Sequence, residues 1–222
     1  TNSFSEFAKA KMFFCIGTNM TEAHPVAATF LKNALRKSAK LIVVDPRNQP
    51  LAKLADIHCQ IKVGTDIAFL NGVMNVLITE NLYDKDFVEN RCDNFEAFKA
   101  KIMEYPVKRA AEISGVDAET IRKVAHLLAA VKPAMLCYTL GITEHTTGKD
   151  NVLSTANLQL LLGNMGVPSG GVNPLRGQNN VQGACDMGAL PNVFPGYQRV
   201  IDPAAREKFA KAWNVEKLPD KN

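Results

Sequence analysis

One arginine stands in the loop Gly171-Val-Asn-Pro-Leu-Arg-Gly-Gln-Asn-Asn-Val-Gln-Gly-Ala-Cys-Asp-Met-Gly188, otherwise built largely of glycines, amides and a proline. The Arg176 guanidinium is a planar fork of donors that matches a carboxylate or a phosphate with two parallel bonds. Gln178, Asn179, Asn180 and Gln182 add amides able to read a polar heterocycle. A purely structural loop has little use for so much hydrogen-bonding capacity, so an anion or a nucleotide is expected here.

Four further clusters hold groups of the same kind. Gly17-Thr-Asn-Met-Thr-Glu22 runs into a helix and offers free backbone N–H groups to a phosphate, although a tight turn with Thr21 as helix cap explains it equally well. Asp45-Pro-Arg47 lies where dinucleotide-binding folds place an acid on a ribose hydroxyl; a cap or an ion pair is the plainer role. Gly64-Thr-Asp66 opens a helix that Asp66 would cap, or else its carboxylate accepts the N1–H and amino group of a guanine. Leu140-Gly-Ile-Thr-Glu-His-Thr-Thr-Gly148 adds Glu144 and His145, and a lone histidine at such a place is expected to be structural. No metal ligands are predicted: His24, His58 and His126 are not paired at helical spacing, and the five cysteines lie more than thirty residues apart.

The elements that position these clusters follow from the hydrophobic pattern. Lys11–Ile16 and Lys40–Val44 read as buried strands, and Glu22–Ser38 between them carries Val26, Phe30, Leu31 and Leu35 at helical spacing. This βαβ unit makes the fold α/β: a Rossmann-like parallel sheet flanked by helices. Ile57–Val63 is a third strand, Pro133–Thr139 a fourth, and Asp66–Glu80 a helix with Phe69, Leu70, Val73, Val76 and Leu77 on one face. Helices are also expected over 84–90, 94–103, 117–130 and 150–162, three of them beginning at a capping Asp or Asn. From Gly163 to Gly196 the composition turns to Gly, Pro, Asn and Gln; the interleaved Val172, Leu175, Val181 and Met187 favour an ordered, ligand-facing loop over disorder. The division expected is an α/β domain over 1–170, then a Gly/Asn-rich loop over 171–222 leading toward a neighbouring domain, with a truncated stub at its end.

Composition narrows the class. At 46% hydrophobic and 22% charged, the 222 residues suit an ordinary globular protein. The net charge of +4 has no Lys/Arg block behind it, so no nucleic-acid partner is expected, while an anionic ligand is favoured. No apolar run nears the roughly 20 residues that span a bilayer, and the start lacks an export signal. Membrane insertion is therefore not expected. Several cysteines inside apolar runs fit reduced, buried thiols, which places the protein in the cytoplasm, a periplasmic parent enzyme remaining compatible. A start without Met, followed within about a dozen residues by a strand, reads as the inside of a larger polypeptide.

Together, Gly17-Thr-Asn-Met-Thr-Glu-Ala-His-Pro25, Val44-Asp-Pro-Arg47, Val63-Gly-Thr-Asp66, Gly141-Ile-Thr-Glu-His-Thr-Thr-Gly148 and the arginine loop resemble the catalytic subunit of formate dehydrogenases, in the molybdopterin oxidoreductase family. The resemblance runs from about Phe14 to Tyr197, and Arg-Gly-Gln-Asn-Asn-Val-Gln-Gly-Ala is its most specific part. It implies a molybdenum or tungsten ion held by two molybdopterin guanine dinucleotides, one guanosine arm lying at the strand ends of the α/β domain. It further implies Gly17, Asn19 and Glu22 at phosphates or ribose, Asp45 and Arg47 at the nucleoside, Asp66 at the guanine edge, and Gly64 among the cofactor-binding residues. Gly141, Glu144 and His145 would face the cofactor, with Gly177 and Gln178 beside the pterins, although the family commonly carries Gln at position 144. Arg176 matches the arginine that orients formate; holding a cofactor phosphate or pairing with Asp186 is the plainer alternative.

The family's cysteine or selenocysteine metal ligand, its N-terminal four-cysteine motif for a 4Fe-4S cluster and its carboxyl-terminal cofactor domain have no counterpart in this sequence. The resemblance thus implies the central segment of a subunit that oxidises formate to carbon dioxide, whose partners are the remainder of that subunit and iron–sulfur or flavin electron-transfer subunits. The competing reading is a non-catalytic nucleotide-binding or cofactor-delivery module.

Overall fold

The structure, a computed structural model, describes residues 2–220. Strands β1 (Met12–Ile16), β2 (Lys40–Val44), β3 (Ile57–Cys59), β4 (Ala134–Tyr138) and β5 (Val172–Pro174) form one all-parallel sheet in the order β3-β2-β1-β4-β5. This is the α/β architecture expected from the sequence. Residues 2–175 of the described chain belong to one compact unit and Arg176 onward to a second.

Every residue of β1 and β4 is buried, as a parallel sheet covered on both faces requires. Period-two alternation divides these apolar residues between two cores. Met12, Phe14, Ile42, Val44 and Leu136 face the helices Asp66–Thr79, Val107–Ser114, Ala118–Ala130 and Gly148–Leu161. Phe13, Cys15, Leu41, Val43 and Cys137 face Phe7 and the helix Pro25–Leu35.

Several elements differ from the expectation for identifiable reasons. The first crossover is broken at His24, because Pro25 disfavours helical backbone in the residue before it; Met20–Ala23 is a separate turn and Pro25 starts the main helix. That helix buries Ala27, Ala28, Leu31 and Ala34, whereas Val26 and Phe30 point outward. β3 pairs over only three residues. The helix Val107–Ser114 escaped the pattern because its buried stripe is Val107, Ala110 and Ser114, mostly small residues. Its close approach to Asp66–Thr79 depends on smallness too: a Cβ on Gly72 would stand 2.4 Å from that of Ala110. Asp84 and Asp117 do cap their helices, accepting from Phe87 and Thr120 N–H, while Asn94 makes no side-chain cap.

In the second unit, the helix Val181–Asp186 follows the arginine, and β6 (Val193–Phe194) pairs antiparallel with β7 (Gln198–Arg199). Toward the end of the chain, Asp202 caps the helix Pro203–Trp213, whose Phe209 and Trp213 pack on Phe194 with ring centroids 4.8 and 5.7 Å away.

The strand order reverses between β1 and β4, and the chain leaves both strands through glycine. A Cβ on Gly141 would stand 2.6 Å from the Gly17 carbonyl oxygen, and one on Gly17 2.7 Å from the Gly141 carbonyl carbon. Gly17 also has a left-handed φ of 56°. Gly141→Ala is therefore expected to destabilise the protein by about 2–3 kcal/mol in urea unfolding. Gly177→Ala, with nothing near its Cβ position, should change stability by less than about 0.5 kcal/mol.

Candidate functional site

Open parallel sheets bind ligands outside the carboxyl ends of their strands, at the point where the order reverses. A cleft of about 290 Å³ lies there, between the tips of β1, β2 and β4 and the segment after β3. Its volume is near the lower end of ordinary ligand sites (about 300–1,000 Å³), which suits one nucleoside better than a whole dinucleotide.

The residues after β1 and β4 make its floor. Gly17 N–H donates to the Val44 carbonyl at 3.0 Å, and the Thr139 hydroxyl donates to the Gly17 carbonyl at 2.8 Å. His145 Nε2 lies 2.9 Å from the Gly141 carbonyl oxygen, which assigns the ring proton to that nitrogen. The histidine thus braces the turn after β4 while also lining the cleft. Thr18, also in the wall, has a buried hydroxyl without a partner.

After β2, Asp45 bends its own loop: its carboxylate accepts the Arg47 backbone N–H at 2.8 Å and the Gln49 side-chain amide at 3.3 Å. Gln49 also donates to the Thr18 carbonyl at 2.6 Å, tying the β1 and β2 turns together. Asp45 is largely buried, and the Arg47 residue is exposed at the cleft edge.

After β3, Ile61 and Val63 give the cleft an apolar wall, Val63 being 75% exposed. Gly64 follows with a φ of 79° and Asp66 opens its helix. Thr65, not Asp66, is the N-cap residue, and no side-chain cap bond forms. Asp66 is only 4% exposed, yet it lines the cleft. Burial pushes its carboxyl up from the ordinary carboxylate range and the negative Asp45 adds to this; its own backbone N–H and the His145 ring offset only part.

Of the sequence-predicted residues, the structure brings together Gly17, Asn19, Asp45, Arg47, Gly64, Asp66, Gly141 and His145 in this cleft. Glu22 and Glu144 are exposed and do not line it. Arg176, Gly177 and Gln178 are exposed residues of the second unit. There the Arg176 guanidinium donates to Cys185 Sγ at 3.5 Å, and Asp186 Oδ1 accepts from Gln182 and from the Tyr197 hydroxyl. Thr18, Gln49 and Thr139 were not singled out in the sequence. Thr139 immediately follows a strand, which was a usable signal; Gln49 carried none.

The family model described as molybdopterin oxidoreductase matches residues 1–221. The chain belongs to that family. Among its relatives is the F420-dependent formate dehydrogenase 1 subunit alpha of Methanococcus maripaludis, 50% identical over 215 residues, which are 97% of this chain and 32% of the relative. Formate dehydrogenase H of Escherichia coli is 47% identical over 219 residues, 99% of this chain and 31% of the relative. The chain thus spans about a third of the length of these relatives. Among solved structures, acetylene hydratase from Pelobacter acetylenicus superposes with a TM-score of 0.69 at 36% identity, covering 74% of this chain and 22% of that one. The chain thus resembles formate dehydrogenases in sequence and superposes on a hydratase, so reaction type must come from particular residues. Among the described residues no helix is long and apolar enough to cross a membrane.

Asp66 yields a prediction with a definite sign. Because the fold raises its pKa, the folded state holds that proton more tightly than the unfolded chain does. Stability therefore rises as pH falls from above the raised value toward the ordinary carboxylate range. Asp66→Asn should raise the Tm of the ligand-free protein at neutral pH and flatten this part of the pH–stability curve; an unchanged Tm and slope would contradict it.

Proposed function

We propose that this chain is the central segment of a formate dehydrogenase catalytic subunit, in which the switch-point cleft holds a guanosine arm of a bis-molybdopterin guanine dinucleotide cofactor and Arg176 orients formate. One observation carries the reading: the Asp66 carboxylate is buried in the cleft with no Lys or Arg paired to it among the described residues, and its own backbone N–H and the His145 ring offset only part of the burial. A charge so placed destabilises the fold unless a ligand brings donors. Guanine brings two side by side, N1–H and the 2-amino group, where adenine offers no such pair.

The remaining residues fit the same group. Asp45, aligned by Gln49, would take the ribose hydroxyls, and the buried Thr18 hydroxyl and the Asn19 amide, beside the Gly17 turn, would meet phosphate or ribose. Ile61 and Val63 offer the base an apolar surface. With the nucleotide accounted for by the first unit, Arg176 is left for a small anion: its fork fixes a carboxylate in one orientation and its charge favours entry of formate. Gly177 and Gln178, beside it in sequence, would meet the pterins. The molybdenum or tungsten centre, when bound, supplies the acceptor for the two electrons released as formate becomes carbon dioxide. A 4Fe-4S cluster in the parent subunit and iron–sulfur or flavin partner subunits would carry those electrons away. The buried free thiols Cys15, Cys59, Cys137 and Cys185 suit a reducing compartment, the cytoplasm. The formate dehydrogenase relatives support the choice of reaction over hydration.

In the full-length enzyme, Arg176→Ala should cut formate turnover by about 100-fold or more while metal content and the GMP released by acid hydrolysis stay unchanged. Asp66→Ala should instead lower the GMP and metal recovered per protein. Full formate turnover in Arg176→Ala would refute the substrate role, and full GMP content in Asp66→Ala the guanine role.

A further inference from the structure

Arg176 sits at the start of an exposed loop, and an arginine that orients a one-carbon anion must itself be held, since a displacement of about 1 Å can cost a hundredfold in rate. Its guanidinium donates to Cys185 Sγ, on the helix Val181–Asp186. The next residue of that short helix, Asp186, is gripped from outside by the Tyr197 hydroxyl, which donates to Oδ1 at 2.8 Å, and from within the helix by Gln182 Nε2 at 3.1 Å. Tyr197 reaches it from backbone with a φ of 59°, a left-handed conformation that is costly for an aromatic residue and directly follows Gly196 at 70°. The turn before it is fixed on the other side as well, because a Cβ on Gly188 would meet Pro195 N at 2.7 Å.

We propose that Tyr197 is a positioning residue for Arg176: by clamping Asp186 it fixes the turn whose adjacent Cys185 holds the guanidinium. This rests on the reading of Arg176 as the formate-orienting group. The hydrogen bond to Asp186 also holds the Tyr197 hydroxyl protonated above its ordinary pKa, so the clamp is intact across the physiological range.

The test uses the full-length enzyme with Tyr197→Phe, Asp186→Ala and the double variant, and Arg176→Lys alongside. Tyr197→Phe should lower kcat/KM for formate by about tenfold or more, chiefly through KM, and weaken inhibition by azide, a small linear anion, with GMP and metal content unchanged. Asp186→Ala should do the same, and the double variant should be no worse than either single one, since both remove one link. A kcat/KM within twofold of the parent in Tyr197→Phe, with only a lower Tm, would overturn the proposal, as would losses that multiply in the double variant. Asp186→Ala alone decides if Tyr197→Phe does not fold. Should Arg176→Lys retain full formate turnover, the functional reading itself fails; should it lose turnover while Tyr197→Phe does not, only the positioning role fails.

Discussion

The backbones of Gly17 and Gly141 touch where the strand order reverses, and the architecture of the cleft depends on that contact. Neither position has room for a methyl group. With both side chains absent, the Thr139 hydroxyl reaches the Gly17 carbonyl, His145 reaches the Gly141 carbonyl, and Gly17 N–H reaches the end of β2. Three strand tips are thereby tied together by short polar links, and the cleft above them is set by the sheet and not by a mobile loop. A side chain at either glycine would wedge β1 and β4 apart at the floor of the cleft.

Energy and function are separated in this unit. Stability comes from strands buried on both faces, with Phe13 and Phe14 facing opposite cores. The cleft works against it: Asp66 is buried with little to offset its charge, and Thr18 keeps a partnerless hydroxyl. Groups left wanting partners at a strand-end crevice are what a polar ligand satisfies on binding, so on the proposed reading the same desolvation that weakens the ligand-free fold would give the bound state its discrimination. The second unit is built on a different principle, a small aromatic cluster of Phe194, Phe209 and Trp213 from which the arginine loop is held by glycine turns and the Asp186 clamp.

Legibility in the sequence followed how strongly each element depends on its own residues. The apolar runs of β1, β2 and β4, the buried helix Asp66–Thr79 and the Asp84 and Asp117 caps are local signals, and they were readable. The helix Val107–Ser114 was not, because its packing relies on the small Gly72 opposite Ala110, a complementarity between distant positions. The outward turn of Val26 and Phe30 was hidden for a similar reason: the buried face of this helix is Ala27, Ala28, Leu31 and Ala34, mostly small residues that give a weak apolar signal. β5 is three residues long inside a Gly/Pro-rich stretch, and the helix Pro203–Trp213 is dominated by charged residues. At the site, the strand-end rule located eight cleft residues. It could not tell which side of a turn a residue faces, so Glu22 and Glu144 were grouped with the residues of a cleft that does not include them. Gln49 acts through Asp45 and Thr18, and nothing in its neighbours announces that.

The most direct measurement is equilibrium binding of GDP, IDP and ADP to the cofactor-free protein. Loss of the 2-amino group removes one hydrogen bond to a charged acceptor, about 1.5–3 kcal/mol, so IDP should bind roughly 10- to 100-fold more weakly than GDP, and ADP more weakly still. Equal affinity for GDP and ADP would contradict a cleft built around the Asp66 carboxylate and the guanine edge.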